Sequence, residues 1–411
     1  MSEIPVSVVI VSRERPAALQ RCLTGLEQIF YENFEVVVVA DGAGCDAVRV
    51  MGLADAVKLM AFDQPNISAA RNLGIARAAG DVVAFIDDDA VPEPTWLAYL
   101  AEGFADPAVA SAGGPVRGRN GISFQNTARL VHSDGSHTQL AMPEAPRIIS
   151  TFPGNALKTE GTNCAFRRSV LADIGGFDEA FRFFLDETDV NLRLADRSMT
   201  AVFAPHAEVH HGFLESAYRR DDRMPKTLFE IGASQAVFLR KHRVDGELDA
   251  LLSQFKVEQR QRLIRHMVSG TCEPRDVGRL MQTLDDGISE GLVRPFGKVV
   301  EFSEKPDPFR RFVGRTTFTG STSVLHLGLS ARDAMAAAAK DVASGQRISV
   351  FLFSRTAFFH RVSFENGVWL QKGGLYGRSK RTDKLFKMWR KKPRYRREIA
   401  RVSKQRSLNS G

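Results

Sequence analysis

The sequence predicts an α/β fold built on a parallel, doubly wound sheet, and three observations carry that prediction. Short apolar runs rich in β-branched residues recur at residues 6–11, 34–39 and 82–86. Helical stretches lie between them, with Leu19, Cys22, Leu23 and Leu26 at helical spacing. The third run, 82–86, leads straight into Asp87, Asp88 and Asp89. A buried strand ending in acids puts them at the carboxyl edge of a sheet, where α/β proteins bind ligands.

Taken in order, the elements support one another. Residues 6–11 read as a buried strand, and Pro16 opens a helix at the position where a missing N–H costs least. Residues 34–39 form a second strand ending at Asp41-Gly42, read as a turn. A third apolar piece, 56–62, ends at Asp63 to Asn66. An alanine-rich helix follows over 68–79, with Gly80 as its stop. After the acids, a helix starts near Pro94. Residues 113–158 show no periodicity and read as a flexible loop for an acceptor. Residues 246–295 are helical, with Leu248, Leu251, Leu252 and Phe255 on one face. Within 298–375, residues 348–353 and 362–364 are strand-like, and Asn366-Gly367 makes a hairpin turn.

A chain of 411 residues suggests about two or three domains. We expect one over 1–240, a helical region over 241–297, a small α+β region over 298–377 and a basic tail over 378–411. The tail holds 14 Lys and Arg against Asp383 and Glu398, so it accounts for more than the whole net charge of +8. The body is mildly acidic. A basic tail of this kind suits an anionic membrane surface first and nucleic acid second, and no nucleic-acid-binding motif accompanies it. No run approaches the roughly 20 apolar residues that span a bilayer. The start is a polar lead into a strand rather than a signal peptide. Cys22, Cys45, Cys164 and Cys272 lack metal or redox spacing, so a cytoplasmic location is expected, peripheral on the inner membrane face if the tail binds lipid.

Clustered hard oxygen ligands at 87–89 suit Mg²⁺ or Mn²⁺, which take few protein carboxylates and complete their shells with substrate phosphates and water. The plain alternative is a solvated acidic turn.

Eight blocks in order decide between these readings. Val8 to Pro16, Val36 to Gly42, Asn66 to Gly74 and Phe85 to Asp89 are followed by Gly161 to Arg168, Ile174 to Glu179, Asp186 to Asp189 and Val209 to Gly212. Together they resemble the family 2 glycosyltransferases, over roughly residues 4 to 240. The resemblance implies the GT-A nucleotide-sugar-binding (Rossmann-like) fold, a nucleotide-sugar donor, and inverting transfer to a glycan or lipid-linked acceptor in surface polysaccharide synthesis.

It also implies roles for residues. Val11, Ser12 and Asp41 meet the base and ribose, with Arg15 beside them. Asn66 and Arg71 lie near the diphosphate, where a guanidinium offers a fixed fork of donors. Asp87 and Asp88 face the donor, Asp89 contacts the metal, and His210, preferred over His211, completes that site. Gly161 lets a sugar approach the backbone. Of the Asp186–Glu187 pair, Glu187 is the base by position and Asp186 the alternative. Two departures stand out: Ala40 replaces a common acid, and the acids at 186 and 187 are in swapped order. They leave room for an inactive nucleotide-sugar-binding subunit. A nucleotidyltransferase would need a glycine-rich loop after the first strand, and none is present.

Overall fold

The computed structural model describes residues 3–242, 247–303, 307–328 and 330–408. Strands β1 (Val6–Ser12), β2 (Phe34–Ala40), β3 (Lys58–Ala61) and β4 (Val82–Asp87) are parallel, in the order β3-β2-β1-β4. Their apolar runs are continuous because both faces are covered. Val8, Ile10, Val36, Val38 and Ile86 pack on one side of the sheet. Val9, Val37, Val39, Val83 and Phe85 pack on the other. Beyond β4 the sheet becomes mixed: Cys164–Arg167 pairs antiparallel with β4, and Val109–Gly113, Thr200–Phe203 and Arg147–Ile149 complete eight strands.

The crossover helices are α1 (Pro16–Leu26), α2 (Gly42–Val50) and α3 (Ile67–Arg77). Asp41-Gly42 is therefore not a free turn but the start of α2. The Asp41 carboxylate accepts from the Gly44 N–H at 2.8 Å, and Cys45 and Val48 point into the core. Asp-Gly supports either outcome locally, and the buried face of the following residues decides it.

Residues 113–158 are not a structureless loop. They contain Val116–Arg117, Phe124–Asn126, Arg129–His132, His137–Gln139 and Asn155–Leu157. Strands this short cannot display alternation, which is why the sequence shows none. Val116–Arg117 and Phe124–Asn126 join Ala90–Pro92 and Val209–His211 in a small sheet beside the acids.

Helices Phe229–His242, Leu248–Val268 and Pro274–Val293 cover one end of the molecule. The first and third cross closely because a Cβ at Gly287 would lie 2.0 Å from the Phe229 carbonyl oxygen, and one at Gly291 would lie 2.3 Å from that of Ala233. A separate four-stranded sheet follows, in the order Gly320–Leu327, Gln346–Ser354, Val368–Gly374, Arg361–Glu365. Its hairpin turn is Asn366-Gly367, both with positive φ (51° and 79°), the geometry of a type I′ turn.

The basic segment is not a loose tail. Helix Lys391–Arg406 packs Ile399 and Val402 against Phe351 and Phe353 of that sheet. Its end is bolted to Glu93, Thr95 and Glu208. Arg406 grips Glu93 with two bonds of 2.8 Å, Gln405 donates to Glu208, and Thr95 donates to the Gln405 carbonyl. Deleting residues after Tyr376 would thus strip part of the core rather than trim a solvated tail. Arg406→Ala is expected to cost about 3–5 kcal/mol of stability in urea melts of the full chain, because it leaves the buried Glu93 carboxylate without its arginine counter-charge. Arg406→Lys should recover part of the loss. A change within about 0.5 kcal/mol, the range of ordinary surface substitutions, would show that the pair contributes nothing.

Among the described residues, no helix is long and apolar enough to cross a membrane.

Candidate active site

Register places the acids. Val11 of β1 lies opposite Asp87 of β4, so the two strand ends open together at the carboxyl edge of the sheet. Asp88 and Asp89 follow in the turn, both almost fully buried. Ser12 Oγ donates to Asp88 at 2.7 Å. Arg15 reaches Asp88 at 2.5 Å and Asp89 at 3.3 Å. A cleft beside them is lined by Val11, Ser12, Arg15, Asn66 and Asp87, with Phe183 and Tyr218 stacked 4.2 Å apart at its wall. Of the expected donor-side residues, these five line one opening.

Asp41 and Gly161 do not line it. Both Asp41 oxygens are engaged by backbone, from Gly44 and from the Glu14 N–H at 2.8 Å, so this carboxylate holds the β1–α1 and β2–α2 turns together. Asn66 divides its work: it caps α3 through Ala69 and still borders the cleft. Gly161 sits against the guanidinium of Arg71, which donates to its carbonyl at 3.0 Å. A Cβ there would lie 2.7 Å from that guanidinium.

Arg71 is buried rather than displayed on a helix surface. It pairs closely with Asp186 and lies 3.4 Å from Asp87, tying the strand-end acids to the acids of helix Asp186–Ala195. Glu187 is paired closely with Lys158. Lys158 belongs to the aperiodic stretch, so no local pattern marked it. Burial would raise Glu187, but Lys158 outweighs it and holds the carboxyl low. For Asp186, burial pushes the carboxyl up despite Arg71. Burial likewise lifts Asp88 to about 7 against the pull of Arg15. For Asp89, burial is overcome by His211 and then Arg15, and the carboxyl stays ionised far below the usual range.

The histidine preference reverses. In strand Val209–His211 successive side chains face opposite ways. His210 turns to Glu93 (2.8 Å) and packs on Trp369. His211 turns to the acids, with Nε2 at 3.1 Å from Asp89 and 3.9 Å from Asp87. Two adjacent histidines look alike in sequence, and only the strand's facing separates them.

Asp87, Asp89 and His211 each offer one ligand atom, all within 4.8 Å of one another. Buried Asp89 Oδ1 faces His211 Nε2 at 3.1 Å without an aligned hydrogen bond. Two carboxylate oxygens and one imidazole nitrogen fit a divalent cation, and a nitrogen ligand suits Mn²⁺ better than Mg²⁺.

Acid sensitivity follows from groups outside this cluster. Burial would raise Glu93 and Asp189, yet Arg406 with His210, and Arg193 with His242 and Lys241, together outweigh it, and both carboxyls are held well below 4.5 and 3.8. The unfolded chain then binds more protons. Stability is full above these ordinary values and is lost as pH falls below about 4.5. Urea midpoints at pH 7 and pH 3.5 should differ strongly, and equal midpoints would contradict the assignment.

With the site described, its class is plain: residues 7–175 match the glycosyl transferase family 2 model, and this part of the chain is a family 2 glycosyltransferase domain. The chain is 29% identical over 213 residues to a pre-mycofactocin glycosyltransferase of Mycobacterium tuberculosis, covering 50% of this chain and 42% of that protein. It is 28% identical over 236 residues to the O-antigen biosynthesis protein RfbC of Myxococcus xanthus, covering 54% of this chain and 18% of that one. The match thus spans less than half the length of these relatives. Among solved structures, a mannosyltransferase from Pyrobaculum calidifontis, in complex with GDP-Man and Mn2+, superposes with a TM-score of 0.45 at 17% identity, over 71% of this chain and 88% of that one.

Proposed function

We propose that the protein is an inverting, metal-dependent glycosyltransferase that moves a sugar from a nucleotide sugar to a hydroxyl of a glycan or lipid-linked acceptor in surface polysaccharide synthesis. The observation that carries this is the Asp87–Asp89–His211 cluster at the mouth of a cleft walled by the β1 strand end. A divalent cation bound there, Mn²⁺ or Mg²⁺, would supply positive charge for a diphosphate leaving group.

The protein's own residues account for the rest. Val11, Ser12 and Asn66 border the cleft for the nucleoside, with Phe183 and Tyr218 as its aromatic wall. Arg15 stands at the same opening and can exchange its carboxylate partners for phosphate oxygens. Of the Asp186–Glu187 pair, Glu187 by position is the base that takes the acceptor proton, with Asp186 the alternative. Support for polysaccharide synthesis comes from the O-antigen biosynthesis relative.

A screen of nucleotide sugars for binding and hydrolysis, with Mn²⁺, Mg²⁺ or chelator present, tests this reading. Cation-dependent binding and hydrolysis of one donor are expected. Binding without turnover in any condition would favour an inactive binding subunit, and no binding at all would overturn the proposal.

A further inference from the structure

The basic C-terminal segment sorts its cations into two sets. Arg394, Arg397, Arg401 and Arg406 point inward and pair with Glu398, Asp383 or Glu93. Lys380, Arg381, Lys384, Lys387, Arg390, Lys391, Lys392 and Arg396 are exposed, and none pairs with a carboxylate among the described residues. The segment's two acids are spent on the inward set: Glu398 is buried, and Asp383 accepts from Arg397 at 2.5 Å. A solvated face would ordinarily mix both signs. This one carries a single sign.

Large apolar side chains stand among those cations. Leu385 (64% exposed), Phe386 (54%) and Met388 (72%) project from the segment, and Phe358 (72%) and Phe359 (55%) project from the neighbouring loop. The two groups form one surface. Gly374 N–H donates to the Phe358 carbonyl, and Arg378 lies over the Phe359 ring. Tyr376 bridges to the second group: its ring lies 5.7 Å from that of Phe386, and its carbonyl accepts from the Lys387 N–H.

We propose that this surface docks the protein on an anionic lipid bilayer, with Phe358, Phe359, Leu385, Phe386 and Met388 entering the headgroup–acyl boundary and the unpaired cations at the level of the phosphates. Cations alone would fit any polyanion. The aliphatic tips decide for lipid: Leu385 and Met388 gain nothing from phosphate or from stacking on bases, but leave water on entering the boundary. Apolar insertion combined with anionic attraction is the pairing that holds peripheral proteins reversibly on membranes. This inference concerns where the protein sits and stands apart from the transfer reaction.

The test is co-sedimentation of the full chain with vesicles of phosphatidylglycerol and phosphatidylcholine, against vesicles of phosphatidylcholine alone. Binding to the anionic vesicles only, weakened by salt, is expected. Lys384→Glu with Lys387→Glu should lower partitioning at least about 25-fold, taking about fivefold for each cation lost. Leu385→Ser with Phe386→Ser and Met388→Ser should lower it at least about tenfold with all cations kept. All five positions are exposed, so unchanged thermal melts should accompany both variants. Trp96 and Trp369 are buried, so a blue shift in tryptophan emission on binding would report Trp389 beside Lys387. Equal binding to both vesicle types, no binding to either, or undiminished binding by the apolar variant would overturn the proposal. Binding to an RNA homopolymer without binding to vesicles would also overturn it and assign the surface to nucleic acid.

Discussion

Asp89→Ala is expected to lower sugar transfer by roughly 10³-fold or more, the scale of losing several kcal/mol of charge stabilisation at a leaving group. The same substitution should remove Mn²⁺ binding measured by calorimetry in the absence of any donor. Asp89 is the convergence point of the cluster: His211 lies 3.1 Å away, Arg15 3.3 Å, Arg219 3.7 Å, and the Leu214 N–H donates to it at 2.9 Å. Alanine removes a carboxylate that Arg15, Arg219 and His211 share, so folding must be checked by circular dichroism. His211→Ala supplies the second reading. It should weaken Mn²⁺ binding, whereas His210→Ala, acting at Glu93 and Trp369, should leave it nearly intact. Full Mn²⁺ affinity in both Asp89→Ala and His211→Ala would remove the metal role from this cluster.

Glu187→Gln should reduce transfer by roughly 10²–10⁴-fold while donor affinity holds, since glutamine keeps an acceptor for Lys158 but cannot take a proton. Asp186→Asn is the discriminating partner. Lys158 holds Glu187 low, which weakens it as a proton acceptor, whereas burial lifts Asp186. Asp186 is also joined through Arg71 to Asp87, so its loss should disturb donor binding as well as rate. If Asp186→Asn alone shows the pure rate loss, the base is Asp186 and Glu187 positions Lys158.

The central sheet was legible because its strands are buried on both faces. Continuous β-branched runs at β1, β2 and β4 need no tertiary information to be recognised. The same holds for the acids: a run of three carboxylates directly after a buried strand announces the carboxyl edge. Asn366-Gly367 was equally plain, because both residues accept positive φ. The helix at 42–50 and the short strands of 113–158 were not legible. The first hid behind a dipeptide that serves turns and caps alike, and the second are too short for a period to register.

By itself, then, the sequence determined the sheet, its edge and the acids on it, because these follow from local periodicity and from where an apolar run stops. Tertiary structure decided what each charged group does. Long-range pairing turned Asp41 into a cap, placed Arg71 between Asp87 and Asp186, brought Lys158 to Glu187 and chose His211 over His210. It also split the C-terminal cations into an inward set that anchors the helix and an outward set left unpaired. Charge is visible in a sequence at every residue, but its chemistry depends on burial and on partners that distant segments supply. Those are settled only when the chain packs.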